Sequence, residues 1–150
     1  MEGDVQAFLD KEAIIETITR LFVATDSRDW ATVRDCFAPQ VLFDMSSMGQ
    51  GEPATLTPER IAAAWEEGLR PLQAIHHQAG NHLVRLGDRE AVATCHGIAL
   101  HHLPNPTGRN TRAFVGTYEF HLAKSFGVWR IDRFRFDLKF IEGNAELESG

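Results

Sequence analysis

From residue 76 to residue 140 the sequence reads as one strand after another, joined by connections too short to hold a helix. The strand-forming runs are 76–86, 90–103, 111–123 and 127–140, separated by Gly87-Asp88, by Pro104-Asn105-Pro106-Thr107-Gly108 and by Ser125-Phe126-Gly127. Strands joined this tightly pair antiparallel, so the second half of the chain predicts a twisted antiparallel sheet. In its last strand Trp129 and Ile131 share one parity, while Phe134, Phe136, Leu138 and Phe140 share the other. Only a bulge near Asp132-Arg133 brings both apolar sets onto one core face, and such a bend curls the sheet into the wall of a cone.

The first half has helical periodicity instead. Phe8, Ile14, Ile15, Ile18, Leu21 and Phe22 form an apolar stripe over Val5 to Thr25. The polar segment Thr25-Asp26-Ser27-Arg28-Asp29 interrupts it and leaves Asp26 near a helix end. Either Ser27 or Asp29 can cap a short second helix carrying Trp30, Val33, Cys36 and Phe37. Pro39 then separates the helices from a short strand, Val41-Leu42-Phe43-Asp44-Met45, and residues 48–57, with Gly49, Gly51 and Pro53, read as a rim loop. Thr57-Pro58-Glu59 supplies a cap, a first-turn proline and an early acid for a third helix, which buries Ile61, Ala62, Trp65 and Leu69 and ends at Gly68 and Pro71. The expected class is α+β: a cone-shaped domain with three N-terminal helices packed against a strongly curved, mainly antiparallel sheet, enclosing a pocket between the layers.

The 150 residues, 43% hydrophobic and 24% charged, suit one domain over 1–150, with 142–150 expected as a frayed tail. A net charge of -6 without a basic tract gives no support for nucleic acid, since Arg130, Arg133 and Arg135 alternate with core-like residues. No run approaches the roughly 20 apolar residues of a membrane span. With no secretory leader pattern, the expected location is the cytoplasm. Cys36 and Cys95 lack ligand-like spacing and read as reduced core residues. An open curved sheet can expose a face that needs partial cover, which leaves room for a homodimer or homotrimer.

Proton chemistry is the function these residues suggest. A carboxylate at the end of the first helix, Asp26, can orient an imidazole projected from the sheet, and such a pair divides acid and base work near neutral pH. His77 and His102 are the candidate imidazoles, since antiparallel packing can bring both to one pocket; His76 and His101 are the alternatives if the register shifts. Adjacent strand residues face opposite ways and no HxH or HExxH pattern is present, so no metal is expected, and Gly49-Gln50-Gly51 and Gly108-Arg109 form no dinucleotide or phosphate-loop motif that would hold an organic cofactor. His82, His96 and His121 read as structural or surface groups, and Asp44, Glu119 and Asp137 as reserve acids. Met45, Met48, Trp65, Phe114, Tyr118, Phe120, Phe134, Phe136 and Phe140 can line a cavity for a small hydrophobic, oxygenated ligand.

The stretch Leu21-Phe22-Val23-Ala24-Thr25-Asp26-Ser27-Arg28-Asp29-Trp30, followed by Cys36-Phe37-Ala38-Pro39 and Gly127-Val128-Trp129-Arg130, resembles the nuclear-transport-factor-like (SnoaL-like) superfamily, and within it the scytalone-dehydratase-like branch. The resemblance implies dehydration: a proton leaves the carbon alpha to a carbonyl, an enolate is stabilised and a hydroxyl departs as water. The catalytic counterparts are Asp26, His77 and His102. Two tyrosines of that pattern match Thr25 and Met45 here, and an asparagine and a serine of its substrate wall match Tyr118 and Gly116. Together with Met48, Trp65, Phe114 and Phe134 these form the expected substrate-binding set. A dehydratase-like lyase acting on a cyclic hydroxy-ketone or polyketide-derived compound is the favoured function. The same fold also serves isomerases and cyclases, small-molecule binding proteins and protein-interaction modules using the outer sheet face.

Overall fold

A computed structural model describes residues 1–149. Helix α1 spans Glu2–Asp26, α2 Trp30–Asp35 and α3 Pro58–Leu69; the strands are β1 Phe37–Asp44, β2 Ala54–Leu56, β3 Ala74–Leu86, β4 Glu90–His102, β5 Thr111–Ser125 and β6 Val128–Gly143. The strands form a six-stranded sheet in the order β2-β1-β6-β5-β4-β3, antiparallel except where β1 runs parallel to β6. The three helices pack on a curved sheet, as the order of periodicities in the sequence requires.

The caps explain where the helices begin. Asp29, not Ser27, caps α2, accepting from the Thr32 N–H at 3.2 Å, and Thr57 caps α3, accepting from the Arg60 N–H at 3.3 Å. On α1 the stripe Ile14, Ile18, Leu21 and Phe22 is buried, while Phe8 stands in solvent. A buried network anchors that helix to the sheet: the Trp129 indole and the Lys124 ammonium both donate to one Asp10 oxygen at 3.0 Å. Burial pushes the Asp10 carboxyl up, but the hydrogen bonds from Trp129, Lys124 and Gln6 outweigh it and hold the group below its ordinary value.

Bulges set the curvature. In β6 Ile131 faces Leu122 and Arg133 faces His121, so Asp132 is the extra residue, and the core side changes from Trp129 and Ile131 to Phe134 and Phe136. A second irregularity was not legible in the sequence. Leu138 pairs Gly116 and Phe140 pairs Val115, which makes Lys139 an extra residue and turns Phe140 outward, half exposed. In β3 the register shifts between Gly80 and Leu83 around Asn81, at φ 57°, and Leu83 points to solvent.

Three other segments differ from the sequence reading. Pro39 lies within β1, inside the irregular stretch between the Phe37–Ile131 and Leu42–Arg133 pairings, where its missing N–H leaves no ladder bond unmade. A 3-10 turn, Ser46–Met48, leads from β1 into the rim loop, and the loop itself holds the edge strand β2. Where the composition suggests a frayed tail, β6 continues to Gly143 and a further 3-10 turn spans Leu147–Ser149, with Leu147 fully buried against Leu72 and Ile75. One apolar residue in the right place outweighs a polar neighbourhood. Cys36 and Cys95 are both buried free thiols, and burial pushes their pKa values up to about 11 and about 12. Among the described residues no helix is long and apolar enough to cross a membrane.

Candidate active site

A cavity of about 370 Å³ opens between α1 and α3 on one side and the inner face of β1, β4, β5 and β6 on the other. Its wall at the end of α3 is fixed by Arg28, whose guanidinium donates to the carbonyls of Leu69 at 3.0 Å and Leu72 at 2.7 Å. Its rim is fixed by Ser47, which donates to the Phe136 carbonyl at 2.6 Å and accepts from the Leu138 N–H at 3.0 Å. That clamp sets the neighbouring Met45 and Met48 against the cavity.

Asp26, the last residue of α1, meets the first part of β3. The His77 ring Nδ1 lies 2.7 Å from one Asp26 oxygen, and the His77 backbone N–H donates to the other at 2.9 Å. A carboxylate offers only acceptors, so Nδ1 carries a hydrogen, and in the neutral ring Nε2 keeps its lone pair. Phe22, one helical turn before Asp26, stacks on the imidazole with centroids 5.4 Å apart and planes 10° from parallel. Both partners are largely shielded: their side chains are 14% and 19% exposed. His77 lines the cavity, with Asp26 behind it.

The expectation that His102 shares this cavity does not hold. His77 pairs with Ala99 across β3 and β4, so the inward parity of β4 runs through Ala99 to His101. His102 faces the outer side, its Nδ1 2.9 Å from the Thr111 hydroxyl, and His76 lies beside Gln78 there. His101 lines the cavity with Arg112, which donates from Nε and Nη2 to the His101 Nδ1 at 3.2 and 3.1 Å. Burial depresses the His101 pKa to about 4, with Arg112 and His77 adding to the fall and Glu148 and Asp26 opposing it.

Of the expected substrate-binding set, Thr25, Met45, Met48, Trp65, Phe114, Tyr118 and Phe134 all line the cavity, and Gly116 does not. A Cβ at Gly116 would sit 2.3 Å from the Asp137 carbonyl and 2.6 Å from the Phe136 ring, so its missing side chain makes room for β6 and not for a ligand. Thr25 commits its hydroxyl hydrogen to the Leu21 carbonyl at 2.7 Å. Toward a ligand it is therefore an acceptor. Tyr118 fits only because residue 97 is glycine: a Cβ there would lie 2.1 Å from its ring. Burial, with smaller effects of Cys95 and Asp26, raises the Tyr118 pKa, which keeps the phenol protonated as a donor. Phe120 and Phe140, expected at the cavity, belong respectively to the deep core and to the outer face.

The remaining polar candidates serve elsewhere. Asp44 accepts from Ser46, Glu119 pairs with Arg133, Asp137 with Arg135, His96 with Asn81 and His121 with Asp132. His82 has a buried Nε2 without a protein partner. Sequence reasoning missed Arg112 and held His101 only as the alternative to His102 for a shifted register. The signal for both was parity along two paired strands, readable only once the register is known.

Solved structures share this architecture. The Kfla4162 protein of Kribbella flavida superposes with a TM-score of 0.90 at 24% identity, covering 96% of this chain and 99% of its own. A candidate scytalone dehydratase from Novosphingobium aromaticivorans gives 0.80 at 14% identity over 92% of this chain and 89% of its own. The hexachlorocyclohexane dehydrochlorinase LinA type 2 gives 0.80 at 15% identity over 95% and 94%. No curated protein sequence matches. At the level of sequence the SnoaL-like domain model matches residues 6–135, which takes in most of α1, the cavity lining except Phe136, and most of the sheet; the chain belongs to the SnoaL-like domain family.

Proposed function

We propose that this protein is a cofactor-independent lyase that removes water from a small, largely apolar hydroxy-ketone, with His77 as the proton acceptor and Asp26 as the group that orients it. The observation that carries this reading is the Asp26–His77 pair, with its Nδ1 bound to the carboxylate and its imidazole on an apolar cavity. In the reaction, His77 Nε2 takes a proton from the carbon alpha to the carbonyl. The electron pair left behind forms the carbon–carbon double bond as the beta C–O bond breaks, and the proton held on His77 returns to the departing hydroxide to make water. Asp26 stabilises the intervening imidazolium. Phe43, Trp65, Phe114 and Phe134 surround a planar or alicyclic skeleton and keep bulk water from the carbanion. Two of the structural neighbours, one named for scytalone dehydratase and one for hexachlorocyclohexane dehydrochlorinase, bear the names of eliminations, which supports a lyase of this type.

The test is mass-resolved turnover of a panel of cyclic hydroxy-ketones by the wild-type protein. A product lighter by one water that disappears in folded D26N and H77Q proteins supports the reading. An isomeric product of unchanged mass would assign the same base to an isomerase or cyclase, and tight binding without turnover would make the protein a binder.

A further inference from the structure

Arg112 projects from β5 beneath the cavity, and each of its five N–H groups has a partner. Nε and Nη2 reach His101 Nδ1; Nη1 reaches one Glu148 oxygen at 2.8 Å and the Ala145 carbonyl at 3.4 Å, and Nη2 also donates to the other Glu148 oxygen. Its guanidinium further lies over the Phe114 ring at 5.3 Å, and Phe114 in turn packs edge-on against His101 at 5.3 Å. An arginine so fully engaged has no donor left for a substrate anion. What it does instead is dictate the state of a neighbour. A guanidinium only donates, so the His101 Nδ1 that receives it must be unprotonated, and the ring hydrogen must sit on Nε2, across the ring from Arg112.

We infer that His101 is the carbonyl-side donor of this site: Arg112, itself held by Glu148 of the C-terminal turn, fixes His101 as the neutral tautomer with hydrogen on Nε2, to bind the oxygen of an uncharged carbonyl substrate. This deepens the lyase reading and rests on it for the identity of the substrate, though not for the state of the ring. The two histidines are thereby opposite in kind. His77 bonds an acceptor through Nδ1 and offers a lone pair; His101 bonds a donor through Nδ1 and offers a hydrogen. One takes the proton alpha to the carbonyl while the other stabilises the oxygen on which charge collects. The groups that face His101 are Arg112 from β5, His77 from β3, Asp26 from α1 and Glu148 from the tail. With both histidines neutral, these sum to one negative charge, so a carboxylate ligand is disfavoured and an uncharged ketone fits. Arg112 is a positioning residue and Glu148 positions it in turn. The 3-10 turn that seats Leu147 against Leu72 and Ile75 is what delivers Glu148 to the site.

The test is nitrogen-15 NMR of the histidine rings in the full-length protein without ligand, with His101 assigned by its absence in H101Q. The expected wild-type spectrum has His101 unprotonated at Nδ1, protonated at Nε2 and without titration between about pH 5 and 8, where an ordinary histidine changes charge. In R112Q the midpoint rises by roughly one unit or more from its value of about 4, short of the ordinary value because burial persists, and the second tautomer becomes populated. R112K, which keeps the charge without the planar fork, falls between the two. A wild-type His101 protonated at Nδ1, or an R112Q spectrum identical to wild type, overturns the inference. Should R112Q fail to fold, the wild-type spectrum alone decides the tautomer. Because turnover plays no part in this measurement, a correct tautomer in a protein that dehydrates nothing would refute the lyase reading and leave the Arg112–His101 pairing standing.

Discussion

Asp26 grips His77 at two points, one carboxylate oxygen on the ring Nδ1 at 2.7 Å and the other on the backbone N–H at 2.9 Å. A single side chain at the end of α1 thus sets the position of β3, the orientation of the imidazole and the nitrogen that faces the cavity. D26N keeps the size but removes the charge and one acceptor. It should lower kcat by roughly 10²–10⁴, with H77Q comparable and the double variant little worse than either alone, because the pair acts as a unit. Steady-state kinetics alongside circular dichroism checks this; equal activity in folded D26N would show that the carboxylate serves only to cap and tether.

His101 and His102 are neighbours in sequence and on opposite sides of the sheet. H102Q should leave turnover within about twofold, the usual reach of a surface substitution far from the reacting atoms. H101F should lower kcat by roughly 10²–10³, the loss that accompanies removal of one oxyanion donor. The reverse order would mean that the register of β4 differs from the one described.

His101 also makes stability depend on pH. Its folded pKa of about 4 lies below the ordinary 6.5. The unfolded chain therefore binds a proton that the folded protein refuses, and the contribution is present above 6.5 and lost as pH falls toward 4. Urea midpoints measured across that window should fall more steeply for wild type than for H101F.

Asp10 answers to a lower range. The indole of Trp129 and the ammonium of Lys124 share one of its oxygens, and its folded pKa is lowered. Its contribution is present above the unfolded value of about 3.9 and lost as pH falls through the lower folded value. D10A leaves a buried indole N–H unpartnered and should cost about 1–3 kcal/mol at neutral pH. Urea denaturation of D10A near pH 7 and near pH 3 separates the two, with the difference from wild type shrinking at the lower pH.

Leu147 is fully buried although the residues around it are exposed. L147A should cost about 2–5 kcal/mol if the C-terminal turn unfolds with the rest of the protein. It should also release Glu148, whose charge opposes the fall of the His101 pKa, so that the His101 midpoint moves lower, opposite to the rise expected for R112Q. A variant of unchanged stability would show that the turn is not part of the cooperative unit.

Much of the fold was written in local patterns. The stripe of α1, the Thr57-Pro58 start of α3, the turns between the long strands and the parity change at Asp132 are short-range signals, because helix caps, tight turns and strand alternation depend on residues a few positions apart. The same signals placed Asp26 at a helix end and offered Met45, Met48, Trp65, Phe114, Tyr118, Phe134 and Phe136 for the cavity wall, while Thr25 came from the family resemblance and Phe120 and Phe140 lie elsewhere. What local pattern does not contain is the register between strands. Pairing His77 with Ala99 instead of with a neighbour decides that His101 and not His102 reaches the cavity; the bulge at Lys139 decides that Phe140 leaves it; and the reach of the C-terminal turn decides that Glu148 meets Arg112. A shift of one residue leaves composition and periodicity untouched and exchanges every side chain between two faces. The sequence by itself determined which elements form and which chemistry is on offer. The tertiary structure decided which histidine lines the cavity, because only the packing of α1, β4 and β5 around it selects a register.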